Sequence, residues 1–73
     1  MMADAATITL TCSSHPEFKF FAEMRADGRQ IGSRFVTRAA MDAWVARAEA
    51  GARRAGRTVT IIDNARTFER DTP

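Results

Sequence analysis

The chain predicts a small α+β fold, a two-layer β-β-β-α-β domain in which an antiparallel meander carries one helix packed on one sheet face. Three observations predict it. Residues 7–12 alternate polar and apolar, an Asp27-Gly28 pair sits between two further alternating segments, and an alanine-rich stretch with helical apolar spacing leads into the β-branched run Thr58, Val59, Thr60, Ile61, Ile62. At 73 residues there is room for one core, because a domain this small buries only about 60% of the surface its unfolded chain exposes. Its 45% hydrophobic and 27% charged content belongs to a folding chain rather than to one too polar to collapse.

In the first segment Thr7, Thr9 and Thr11 alternate with Ile8, Leu10 and Cys12, the period-2 pattern of a half-buried strand with the apolar set facing in. Residues 13–17, with Ser13, Ser14, His15 and Pro16 in sequence, have loop composition, and Pro16 lacks the N–H that a ladder needs. Asp27-Gly28 is the strongest local signal, because both central residues of a tight type I′ hairpin turn need positive φ. Placing these residues at the turn sets a register from Ala26 opposite Arg29 to Phe20 opposite Phe35. One face then gathers Phe18, Phe20, Ala22, Met24, Ile31, Ser33 and Phe35. The other gathers Lys19, Phe21, Glu23, Arg25, Gln30 and Arg34.

Thr37 predicts an N-cap and Arg38 the start of a helix. From there Met41, Trp44, Val45, Ala48 and Ala52 follow one helical stripe, with Glu49 and Arg53 a favourable i, i+4 pair outside it. The helix ends at Gly51 or runs on to a cap at Gly56. Residues 58–62 form a fourth strand, joined to the third by a parallel, right-handed crossover, and lying beside either the first strand or the third. The domain is read as residues 1–63, with 64–73 a polar C-terminal tail.

The same sequence excludes several classes of chemistry. One cysteine and one histidine give neither a disulfide framework nor a zinc site. Cys12 and His15 lack the orienting group and oxyanion site that thiol catalysis needs, and the four glycines form no phosphate-binding pattern. The expectation is a non-enzyme with no cofactor and no metal. No basic leader and no apolar run near membrane-spanning length appears, which reads as a cytoplasmic protein with no membrane partner.

Charge is more informative. Ten arginines stand against one lysine, and residues 25–57 hold eight of the arginines with only Asp27, Asp42 and Glu49 among them. Such a ratio also follows from a GC-rich genome, but a central positive region suits an anionic partner. The bare sheet face would present Lys19, Phe21, Arg25, Gln30 and Arg34 together, with Arg38 nearby at the helix start. These residue types contact phosphates and base edges. Phe21 stacked on Arg34 as an exposed cation–π pair, or Phe21 as an anchor for a protein partner or a second copy of the chain, are the other readings of the same face.

Residues 18–55, the hairpin FKFFAEMRADGRQIGSRF running into the helix TRAAMDAWVARAEAGARRA, resemble the arm-type or AP2-like DNA-binding domain at the N-terminus of tyrosine recombinases. Asp27, Gly28 and Arg29 match the turn of that family, and Thr37, Arg38, Ala39 and Trp44 match its helix. The resemblance implies that the sheet docks in the major groove with Arg25, Gln30 and Arg34 as contact residues. Two functions are therefore expected. One is a small non-catalytic DNA-binding protein of a phage or mobile element. The other is a protein-binding inhibitor of anti-CRISPR type, which blocks a host defence or nucleic-acid-binding complex. A homodimer through the open sheet face is a third arrangement.

Overall fold

The computed structural model describes residues 5–65. Four strands and one helix follow in the order β1 (Ala5–Cys12), β2 (Phe20–Ala26), β3 (Arg29–Phe35), α1 (Arg38–Arg54) and β4 (Thr58–Asp63). They form one mixed sheet of order β3-β2-β1-β4, antiparallel from β3 through β1 and parallel between β1 and β4. The β-β-β-α-β arrangement is the one the sequence predicts.

The hairpin forms in the expected register, from Phe20 opposite Phe35 to Ala26 opposite Arg29. Its two turn residues both have positive φ, 55° at Asp27 and 76° at Gly28, as a type I′ turn requires. The N-cap is also as read, since the Thr37 hydroxyl accepts a hydrogen bond from the Ala40 N–H at 3.1 Å. Of the two helix ends left open by the sequence, the later one is used. Gly56, at φ 84°, donates its N–H to the Arg53 carbonyl, and the Arg57 N–H reaches the Ala52 carbonyl. That pair of bonds is a Schellman closure, and a glycine takes its left-handed residue without strain.

Strand β4 lies beside β1, which resolves the choice the sequence left open. β1 carries the densest inward apolar set, and as an inner strand it keeps Ile8 and Leu10 buried. The same pairing extends β1 two residues earlier than its alternation suggests, because Thr58 gives Ala5 a partner. Beyond β4 the Asn64 N–H donates to the Leu10 carbonyl at 2.8 Å, and Ala65 is fully buried. The chain thus stays attached through these two residues of the expected tail. The rest of that tail lies outside the described residues.

The core unites Ile8 and Leu10 of β1, Ala22 of β2, Met41 and Val45 of α1, and Ala65. Phe20, Phe35 and Trp44 pack against it, with the Phe35 and Trp44 rings tilted at 57° and 6.0 Å apart. Two residues expected on this face behave differently. Phe18 precedes β2 and stacks on His15 at 5.2 Å, in a loop where His15 Nδ1 accepts the N–H groups of Glu17 and Phe18. Ile31 is on the helix side but remains 55% exposed, because β3 is the outermost strand and the buried helix residues meet β1 and β2 instead.

Candidate nucleic-acid interface

The sheet face away from α1 is uncovered among the described residues. Its make-up follows from register alone, since paired residues share a face and neighbours alternate. Phe21 and Arg34 are paired, as are Arg25 and Gln30, which brings four of the predicted site residues to this side. Lys19, exposed, immediately precedes β2.

Polar contacts organise one half of the face. Gln30 Nε2 donates to Glu23 Oε1 at 2.8 Å, and Arg25 Nη2 donates to Gln30 Oε1 at 3.2 Å. Gln30 therefore links the lone carboxylate of the group to one of its cations. In the other half Phe21 leans across the strand pair. Its Cζ stands only 2.9 Å from where a β-carbon on Gly32 would lie, so the missing side chain at Gly32 makes room for the ring. This replaces the Phe21–Arg34 stack as the arrangement of the aromatic. Arg34 is exposed.

Arg38 is not part of this surface. It stands at the start of α1 on the helix side, where Nη2 donates to Asp63 Oδ2 at 2.8 Å and Nε approaches Asp42 at 3.4 Å. Conversely, the structure adds residues that the reading did not include. Thr7 lies beside both Arg25 and Thr60, and Thr9 beside both Glu23 and Ile62, so β1 sends a column of hydroxyls through the middle of the open face. Its signal was present in the sequence, because Thr7, Thr9 and Thr11 must face out if Ile8 and Leu10 face in.

A second feature lies on the helix side, where a groove of about 820 Å³ opens between β3 and the later turns of α1. Met24, Ile31, Trp44 and Ala48 give it apolar walls, and Arg29 and Arg47 stand at its rim. One end is closed by an ion pair between Asp27 at the hairpin tip and Arg57 after the helix. The Arg57 hydrogen bond, with lesser help from the charge of Arg29, holds the Asp27 carboxyl below its ordinary value of 3.8. A depressed folded-state value means that the link stabilises fully above the unfolded value and is lost as pH falls through the folded one. The expected result is that stability declines below pH 3.8 in the parent more than in Asp27→Asn, a substitution compatible with the turn. Thermal melts across the acid range check this; a gap between the two proteins that stays constant with pH would refute it.

Cys12 and His15 are not engaged with one another. The thiol is directed to the Ala65 carbonyl at 3.7 Å, while His15 orders its own loop. Among the described residues no group of three or more His, Cys, Asp or Glu is placed to hold a metal ion, and no helix is long and apolar enough to cross a membrane.

Fold and site together define a small α+β domain with an open, mixed polar and basic sheet face. Compared with protein-family models, with curated proteins and with solved structures, the chain finds no match in any of the three.

Proposed function

We propose that the chain is a small non-catalytic binding protein, of the kind phages and mobile elements encode, that engages duplex DNA through its open sheet face. The observation that carries this reading is the register that places Phe21, Arg25, Gln30 and Arg34 on one uncovered face, where with Lys19 three cations meet a single carboxylate. Arg34 and Lys19 are exposed and suited to phosphates. Arg25 and Gln30 offer donors and an acceptor to base edges. β2 and β3 are the outer half of the four-stranded sheet, and strands can present side chains to base edges in the major groove. The likeness of residues 18–55 to the arm-type domain of tyrosine recombinases supports the same docking face.

Binding through phosphates releases counterions, so affinity for duplex DNA should fall steeply and log-linearly with salt. Arg25→Ala combined with Arg34→Ala should weaken binding about tenfold or more and flatten the salt slope by about two, with the melting temperature near the parent's. Fluorescence anisotropy on labelled duplexes measures both. No titratable change at low salt, or an unchanged slope in the double variant, rules this reading out.

A second reading, a protein-binding inhibitor of anti-CRISPR type, draws on Ile62, which is 43% exposed beside Thr9 on the same face. An apolar anchor of that kind belongs in a protein interface, whose affinity changes little with salt.

A further inference from the structure

The groove on the helix side and the main-chain groups along the outer edge of β3 are used by neither of those readings. Among the described residues β3 is the outermost strand on its side of the sheet, and its outer edge can accept another strand. In an antiparallel ladder the pair flanking a two-residue turn is hydrogen-bonded, and bonded pairs alternate with unbonded ones. Ala26 and Arg29 flank the turn, so Gln30, Gly32 and Arg34 occupy the unbonded positions and turn their N–H and C=O groups away from β2. None of the three is proline, and all three are exposed. Natural edges are blunted by proline, a bulge, a covering element or charged side chains; β3 has no proline and pairs continuously, and its charges, Arg29 and Arg34, are both positive.

What lies on either side of that edge specifies the occupant. On the helix side, Ile31 stands 55% exposed at the mouth of the groove, over walls of Met24, Trp44 and Ala48. The rim is basic, with Arg29 and Arg47 both exposed. Among the described residues, the groove is lined by one carboxylate, that of Asp27, which is paired with Arg57. An incoming strand therefore meets main-chain groups along its length, an apolar hollow for a side chain opposite Ile31, and the positive charges of Arg29 and Arg47 around that hollow.

We infer that the β3 edge and its arginine-rimmed groove form a docking site for an extended, acidic peptide segment of a partner protein, which adds as a fifth strand, seats an apolar side chain against Ile31 and Trp44, and places carboxylates near Arg29 and Arg47. Main-chain pairing supplies the attachment, and the pocket and charges select the sequence, as in other cases of strand addition. The two sites share Gln30 and Arg34 but use different groups of them, side chains on the open face for DNA and main-chain groups at the edge for the peptide, so their tests read out separately.

The probe is a short blocked peptide with a central phenylalanine, valine on either side of it and glutamate two residues away in each direction, so that ring and carboxylates share a face, with a counterpart in which lysine replaces glutamate. Trp44 is the only tryptophan of the chain and lines the groove, so its emission reports on occupancy, while amide hydrogen exchange reports on the edge. The acidic peptide should shift Trp44 emission and slow exchange at Gln30, Gly32 and Arg34 by about tenfold or more; the lysine peptide should do neither. Arg47→Glu, a change on an exposed helix face, should weaken the acidic peptide about tenfold by turning an attraction into a repulsion, and should leave the melting temperature near the parent's. Emission that shifts without protection of those amides, an equal response to both peptides, or no response to the acidic peptide at millimolar concentration each overturns the proposal.

Discussion

Met41→Ala is expected to lower the unfolding free energy by about 2–5 kcal/mol. Met41 and Ile8 are the largest side chains that are completely buried, and Met41 is the point where α1 enters the core formed by β1 and β2. Truncation removes the transfer free energy of three heavy atoms and leaves a void that a close-packed interior fills only in part. A chain of this length seldom draws more than about 3–5 kcal/mol of net stability from its core, so most molecules should be unfolded at ambient temperature. Met41→Leu keeps the volume and should cost less than about 1.5 kcal/mol. Urea titration followed by circular dichroism separates the two. If the alanine variant unfolds within about 1 kcal/mol of the parent, the helix does not depend on Met41 and the packing described above is wrong.

Much of this architecture was legible because independent local signals agreed. The Asp27-Gly28 turn and the alternation on either side of it specify the same register, and a slip by one residue would turn Phe20 and Phe35 to the bare face. The helix was legible for the same reason: the Thr37 cap, the Met41–Trp44–Val45 stripe and the Gly56 closure are each local and mutually consistent. The grouping of Phe21, Arg25, Gln30 and Arg34 followed directly from that register.

What was not legible depends on pairs far apart in the chain. Thr58, Val59 and Thr60 satisfy strand chemistry equally well beside β1 or β3, and only the gain from enclosing β1 decides between them. Ala65, among polar neighbours, gives no sign that it will fill a space next to Cys12. Ile31 reads as a core residue from its alternation, yet its exposure is set by how far α1 reaches across the sheet. Arg38 reads from the sequence as an arginine near the basic face at the helix start. Its partner Asp63 lies 25 residues away, and no spacing rule links them. The lean of Phe21 over Gly32 is of the same kind, since the absence of a side chain on one strand determines where a ring on the next can go.

That long-range ion pair supports the second large effect, a loss of about 1–3 kcal/mol for Asp63→Ala. Arg38 is the first residue of α1, whose first turn contains no acidic residue, and a cation there faces the positive end of the helix dipole. Asp63, at the end of β4, supplies the missing negative charge from across the layer. The two side chains are only 27% and 23% exposed, so the pair is shielded from salt better than a surface bridge and is worth more than one. Removing the carboxylate leaves a half-buried guanidinium with Asp42, 55% exposed and at 3.4 Å, as weaker compensation. The cost should therefore include the loss of the shorter of the two ion pairs of Arg38 as well as the lost bond itself. A double-mutant cycle tests this directly: Arg38→Gln removes the charge, so Asp63→Ala should cost much less in that background than in the parent, with a coupling of about 1 kcal/mol or more. Strictly additive effects would show that Arg38 and Asp63 do not stabilise each other, and that β4 is held beside β1 by its ladder and by Val59 and Ala65 alone.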